Sequence, residues 1–498
     1  MDFLANITYG FSIALTPSNL IYCFIGVFIG TLVGVLPGIG PVGAMSLLLP
    51  STFSVSPVAA IIMLSGIYYG AMYGGSITSI LLNIPGEAAS VITCLDGYQM
   101  AQQGRAGPAL GISCFGSFIG GTFSIIGLML VAPPLAEAAL RFGPPEFFSL
   151  MVLGIVLLIY LASGSIAKAF VMAVLGIILG IIGIDPSTGA QRFTFGILEL
   201  NDGIGLVPLV MGLFGISEVL LNAEKAIQRE ITKTNIKNLL PNSDDWKKSS
   251  GPILRGSITG FLLGILPGGG ALVSSFLSYA IEKRISKNPE KFGRGAIEGV
   301  AGPETANNSA TGGAFIPLLT LGIPANVTMA MLLGALLIHG MQPGPMLMKN
   351  HPDLFWGLVI SMYIGNGLLL LLNLPLIGLW VQVLKVPYRI LFPLILLFCL
   401  IGVYSINYSV TDMLIMIIFG VFGYLMKKFE YEGAPLVLAY VLGPLLEMSL
   451  KQSLVMSDGN FAIFFTRPLS LIGMVVGIFL SIFSMLPWLA KKRHMFKE

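Results

Sequence analysis

The chain is 498 residues long, 55% hydrophobic and only 10% charged, with a net charge of +3. At a mean hydropathy of +0.88 it carries too little charge to cover a water-soluble surface. That weak, dispersed positive charge gives no footing to a nucleic-acid partner. Cys23, Cys94, Cys114 and Cys399 stand singly without a C-x-x-C spacing, and His339, His351 and His494 lie far apart. The pattern indicates no disulfide framework, zinc site or histidine-based catalytic cluster.

Residues 3 to 86 contain no Asp, Glu, Lys or Arg. No basic segment precedes the first apolar run, and the first Lys or Arg is Arg105, so no cleavable signal peptide is expected. The first run is interrupted by Gly34-Val35-Leu36-Pro37-Gly38-Ile39-Gly40-Pro41. Proline removes a backbone donor and glycine unwinds, so this stretch predicts the end of one half-helix and the start of another. Unwound backbone at membrane depth survives only where protein buries it or a polar cavity borders it. A second weak point spans Tyr69–Glu87, rich in small and hydroxyl residues and closing on Asn83-Ile84-Pro85-Gly86-Glu87. A polar loop with Asp96, Gln102, Gln103 and Arg105 follows.

Ala109–Ala132, Gly203–Leu221 and Leu469–Trp488 are apolar runs long enough to span a bilayer. Arg141–Pro145, Ser163–Lys168 and Asp185–Asp202 read as the loops between helices of the first half. Asn222–Arg255 is a long polar connector whose seven basic residues outnumber four acidic ones, the mark of a cytoplasmic loop.

Beyond it the chain retraces itself. Gly264-Ile265-Leu266-Pro267-Gly268-Gly269-Gly270 repeats the first break at an offset of 230 residues. Gly74-Gly75 maps to Gly312-Gly313 and Ile84-Pro85 to Ile323-Pro324, at offsets of 238 and 239. Anchors in the same order indicate an internal repeat, and paired interrupted helices point to a transport site. The expected fold is an all-α polytopic membrane protein of roughly 12 transmembrane segments, some re-entrant or broken. Its parts are a first repeat at 18–222, a basic connector at 223–255, a second repeat at 256–448, and a final helix and basic tail at 449–498. Arg255 precedes the second Leu-Pro-Gly break, and Lys283, Arg284, Lys287, Lys291 and Arg294 follow it, whereas the first break has no basic flank. Inverted repeats explain that asymmetry, the second break entering and leaving on the cytoplasmic face.

The stretches Gly34–Pro41, Gly70–Ser76 and Leu82–Ala88 resemble the large membrane subunit of the tripartite tricarboxylate transporters. So do Arg192–Gly196, Pro303–Asn308 and Gly340–Pro345. The resemblance covers almost the whole chain. It implies a bacterial inner-membrane protein working with a small membrane subunit and a periplasmic solute-binding protein. It also implies uptake of citrate or related carboxylates driven by a Na+ or proton gradient. No Walker motif is present, which argues separately against an ATPase.

A carboxylate that sheds water must find replacement hydrogen bonds. Half-helix N-termini offer free N–H groups and partial positive charge, so Gly38, Ile39, Gly40, Gly268, Gly269 and Gly270 are candidate substrate contacts. Ser76, Thr78, Asn83, Asn307, Asn308, Ser309 and Thr311 are the candidate side-chain donors. Carboxylates near membrane depth are coupling candidates by default, which singles out Glu87 and Glu304; the carbonyls by Pro85 and Pro324 and the Thr320 hydroxyl can complete a cation site. Tight helix packing is the competing explanation for the glycines and hydroxyls. A carboxylate channel is the second functional reading, distinguished by the absence of uphill accumulation. No paired-Asp, Ser-His or zinc grouping supports an enzyme.

Overall fold

The computed structural model describes residues 3–36, 40–162, 165–224, 239–268, 270–384 and 388–484. The first helices are α1 Phe3–Ala14, α2 Pro17–Val35, α3 Gly40–Leu48, α4 Pro57–Leu82, α5 Val91–Gln102 and α6 Ala106–Ala139. Helices α7 Pro144–Leu161 and α8 Ile166–Gly180 lead into an antiparallel hairpin, β1 Gly183–Ile184 and β2 Gln191–Arg192. Helix α9 Leu206–Val210 passes through a π-helical turn, Met211–Ile216, into α10 Ser217–Glu224. Then come α11 Ser243–Ile265, α12 Gly270–Ile285, α13 Glu298–Gly313, α14 Phe315–Leu321, α15 Val327–Ile338, α16 Leu347–Asn350 and α17 Pro352–Asn373. The chain continues with α18 Ile377–Val383, α19 Tyr388–Asn407, α20 Val410–Lys428, α21 Gly433–Met456, α22 Ile463–Thr466 and α23 Pro468–Ser484. Among the described residues, seven helices are long and apolar enough to cross a membrane, α6 being 34 residues long. The protein is an all-α polytopic membrane protein.

Both Leu-Pro-Gly stretches end one helix and precede another. Proline disfavours helical geometry at the residue before it. Leu36 accordingly leaves the helix at φ −92°, ψ 96°, and α11 stops just before Leu266-Pro267. Helix α4 starts at Pro57 behind Ser56, whose hydroxyl accepts from the Ala59 N–H at 3.3 Å. It runs unbroken through Tyr69–Ser76, and its break falls later, at Asn83, which takes a left-handed conformation at φ 56°.

The chain forms two compact units. The first comprises Met1–Glu137, Leu206–Ile265 and Gly269–Tyr424, and it builds one packing motif twice. Gly26, Gly30 and Gly34 recur every fourth residue on α2, facing α4. A Cβ added at Gly26 or Gly34 would stand 2.3 Å from the carbonyl oxygen of Met63 or Ala71. Gly256, Gly260 and Gly264 do the same on α11, facing α13. There the added Cβ would lie 2.2 Å from the Ala306 oxygen at Gly260 and 2.3 Å from the Ala310 oxygen at Gly264. Missing side chains let the backbones approach this closely, a common device in membrane helix pairs. The two motifs are related by 230 residues on the glycine helix and 239 on its partner, matching the sequence repeat.

The second unit comprises Ala138–Gly205, Leu266–Gly268 and Leu425–Glu498. Gly176 and Gly180 bring α8 against Leu436 and Tyr440 of α21. At one end, Lys168 donates to the Phe429 carbonyl at 2.7 Å and lies over the Tyr431 ring. At the other, ion pairs hold the hairpin: Lys451 to Asp185 at 2.7 Å and to Glu447 at 2.8 Å, and Arg192 to Glu447 at 2.6 Å. The Lys451 ammonium, with the Thr188 hydroxyl and the Ser187 N–H, holds the Asp185 carboxyl well below the usual carboxylate range. A depressed carboxyl stabilises the fold fully above its unfolded value of 3.8, and that contribution is lost as pH falls toward the folded value. Hydrogen exchange across 183–192 should therefore stay slow down to the ordinary Asp range. In Lys451→Met, exchange should quicken at higher pH than in the parent chain.

Candidate functional site

The first breaks place glycine where a side chain would be strained. Pro37, Gly38, Ile39 and Gly269 lie outside the described residues. Gly40 opens α3 at φ +64° and Gly270 opens α12 at φ +41°, and a Cβ at either would meet nothing within 4 Å. Glycine takes such left-handed conformations without penalty, and the first N–H groups of a helix have no partner within it. Both half-helix starts thus present accessible backbone. Gly268, in the second unit, has φ +78°, and a Cβ there would lie 2.9 Å from Leu158 Cα.

The second breaks gather most of the candidate side chains. Glu304 is buried on α13 at 1% exposure, and its two carboxylate oxygens accept from the hydroxyls of Ser76 on α4 and Thr93 on α5. One turn on, Asn307 Nδ2 donates to Glu87 Oε1 at 3.3 Å, while its Oδ1 is buried and accepts from nothing. Glu87 is half-buried, and its Oε2 accepts from the Ala89 N–H at 2.7 Å, capping the turn before α5. Asn308 Nδ2 donates to Ser117 Oγ at 2.7 Å and to the Glu304 carbonyl at 3.1 Å. Asn308 and Thr311 border a small cleft together with Tyr69, Ser124, Met362 and Asn366.

Other candidates serve the backbone. Thr78 donates to the Val35 carbonyl at 2.9 Å and Ser309 to that of Ser257 at 2.6 Å, each tying the two helices of its glycine motif. Thr311 and Thr320 donate to carbonyls four residues back in their own helices. Asn83 is exposed, and Pro85 and Pro324 sit in irregular stretches behind the left-handed residues Asn83 and Gly322.

The offset of 239 residues exposes an order in these contacts. It carries Tyr68 onto Asn307, Asn83 onto Gly322 and Glu87 onto Asn326. Asn326 Nδ2 donates to Tyr68 Oη at 3.0 Å, and Asn307 Nδ2 donates to Glu87. Each copy's helix residue therefore bonds the other copy's loop residue, the exchange of partners that a two-fold relation requires. Both loop residues also cap a helical turn: Asn326 accepts from the Met329 N–H at 2.9 Å, as Glu87 does from Ala89.

Several contributors escaped the sequence reading. Tyr73 Oη donates to Asn366 Oδ1 at 2.7 Å, and Asn366 Nδ2 donates to the Phe118 carbonyl at 2.9 Å, joining α4, α6 and α17. Asn366 had a signal, being the one amide inside the apolar run 354–372. Asp96, read from sequence as a loop carboxylate, is fully buried. Its Oδ1 accepts from the N–H groups of Gly293, Gly295 and Ala296 at 2.9, 2.7 and 2.8 Å, and its Oδ2 from Tyr279 Oη at 2.9 Å.

A protein of Agrobacterium vitis, described as an uncharacterized 52.8 kDa protein in the TAR-I ttuC' 3'region, is 51% identical over 493 residues. That alignment covers 99% of this chain and 98% of the relative. A second Agrobacterium vitis protein, described as uncharacterized in the TAR-II ttuC' 3'region, is 51% identical over 234 residues, 47% of this chain and 97% of its own length. No solved structure matches. The model of the tripartite tricarboxylate transporter TctA family matches residues 20–438, and the chain belongs to that family of membrane transporter components.

Proposed function

We propose that this chain is the large membrane subunit of a binding-protein-dependent secondary active transporter, importing citrate or related carboxylates on a Na+ or proton gradient. Its partners are a small membrane subunit and a periplasmic solute-binding protein, and its place is the bacterial inner membrane. The family description names tricarboxylates. The observation that carries the reading is the doubled break, with accessible half-helix starts at Gly40 and Gly270 and carboxylate and amide groups beside the second breaks. The substrate carboxylates are met by the half-helix starts at Gly40 and Gly270, with Asn83 and, once it releases Ser117 Oγ, Asn308 as side-chain donors. Glu87 and Glu304 serve the coupling ion, helped by carbonyls near Pro85 and Pro324.

The repeats 18–222 and 256–448, joined by the basic connector and followed by a final helix and tail, have opposite orientations in the membrane. A cysteine placed at Ser51 should then react with an impermeant reagent from outside, and one at Ser286 only from the cytoplasm. Labelling of both from one side contradicts inversion.

The central test is uptake of labelled citrate by proteoliposomes containing all three subunits, under separate Na+ and proton gradients. Uphill accumulation under one of them is the expected result; equilibration alone would mean a channel. In the same assay Asn308→Ala removes a hydrogen bond to a charged group, about 1.5–3 kcal/mol, so affinity should fall roughly 10- to 150-fold. Asn308→Asp should be worse, since it opposes an anionic ligand with negative charge.

A further inference from the structure

Every buried carboxylate among the described residues has a counterweight except Glu304. Glu146 pairs with Arg467, Asp245 with Arg105, Glu282 with Arg255 and Asp185 with Lys451. Asp96 is saturated by its backbone and tyrosine donors. Glu304 has the hydroxyls of Ser76 and Thr93, and among the described residues no Lys or Arg forms an ion pair with it or with Glu87. Neutral hydroxyls alone leave a charge in a low-dielectric interior uncompensated.

A second observation does not depend on the acids. Asn307 carries a fully buried amide oxygen that accepts from nothing, while the nitrogen of the same amide is directed at Glu87. That free carbonyl oxygen belongs to the amide whose nitrogen meets Glu87, one helical turn along α13 from Glu304, so the three residues offer the hard oxygen ligands that hard cations select. We propose that Glu304, Glu87 and Asn307 Oδ1 hold one dehydrated metal cation of the sodium class. The hydroxyls of Ser76 and Thr93 complete the shell by rotating their lone pairs inward. A single positive charge offsets the fully buried Glu304, while the Glu87 oxygens are already met by the Ala89 N–H and the Asn307 amide.

The repeat sets the number of such sites. The offset of 239 residues carries Glu304 onto Ser65, Asn307 onto Tyr68 and Glu87 onto Asn326, so the equivalent position has no carboxylate. One ion per chain follows from this cluster. The proposal rests on the transport reading only for its purpose, because binding can be measured without transport.

The test uses the purified full chain in detergent, with retention of radioactive Na+ and thermal unfolding in sodium chloride against choline chloride at equal ionic strength. Saturable binding of one Na+ per chain is expected, together with a sodium-dependent rise in unfolding temperature. Glu304→Gln keeps the shape of the side chain and lets either hydroxyl rotate to accept, yet should raise the half-saturating sodium concentration about tenfold or more. Asn307→Ala, which removes the carbonyl and the amide donor to Glu87 but leaves both carboxylates in place, should weaken binding too, and it decides the matter if Glu304→Gln does not fold. Ser65→Ala, at the equivalent position of the other repeat, should bind sodium like the parent chain. Identical behaviour in sodium and choline, or unchanged affinity in both site variants, overturns the proposal. Uphill carboxylate uptake driven by protons alone would overturn the sodium site and leave the transport reading standing.

Discussion

A single methyl group at position 260 should cost the protein a large part of its stability. The Cβ of Gly260→Ala would stand 2.2 Å from the Ala306 carbonyl oxygen and 2.7 Å from Ala306 Cα. Both are backbone atoms of a buried helix, so neither can rotate aside, and α11 must part from α13. Overpacking of this kind costs on the order of 3 kcal/mol. The separation would also pull on the hydrogen bond from Ser309 to Ser257, which ties the same two helices. Gly30→Ala, the equivalent change in the first motif, brings its Cβ to 2.6 Å from the Ile67 oxygen and should behave similarly. Gly40→Ala is the control: it meets nothing within 4 Å and should cost only the left-handed penalty, about 1–2 kcal/mol. Thermal unfolding in detergent ranks the three. Equal unfolding temperatures for positions 260 and 40 would show that the helices do not meet as closely as described.

Asp96→Ala should be comparably severe, for a different reason. It strips the acceptor from three backbone N–H groups and from the Tyr279 hydroxyl at once. Each buried donor left unsatisfied costs about 1–3 kcal/mol, so the four together come to at least about 4 kcal/mol. Asp96→Asn keeps the oxygen that serves the three N–H groups and turns the other atom into a donor toward Tyr279 Oη, so it should fold nearly normally. Transport separates this latch from an ion-coupling role. A latch keeps its activity per folded molecule in Asp96→Asn, whereas a coupling carboxylate loses it. Hydrogen exchange at 293–296 should accelerate in the alanine variant alone.

What the sequence disclosed about this architecture is what the backbone itself dictates. Proline and glycine act locally, so both Leu-Pro-Gly breaks and the repeat offsets could be read before any helix was placed. Glu304, Asn307 and Asn308 stood out because a carboxylate with two amides beside a helix break near membrane depth needs a reason. Their partners did not stand out. Thr93 meets Glu304 across 211 residues and Asn366 meets Tyr73 across 293, and no local pattern encodes such distances. Tyr69–Ser76 looked like a break because it is full of small residues. Gly70 and Gly74 instead face the α2 backbone, so the same residues mark close packing within a continuous helix. Composition alone does not separate those two uses of glycine.

The exchanged contacts, Tyr68 with Asn326 and Asn307 with Glu87, join matching parts of the fold by unlike chemistry. The phenol–amide contact is neutral on both sides, so its strength is indifferent to what dissolves around it. The amide–carboxylate contact joins an amide to an acid, and it would tighten or loosen with a cation of the kind proposed above. Two clasps of one shape therefore answer to different stimuli. Such a cation would reach only the Glu87 clasp, and the duplicated frame would gain a direction that its geometry alone does not have.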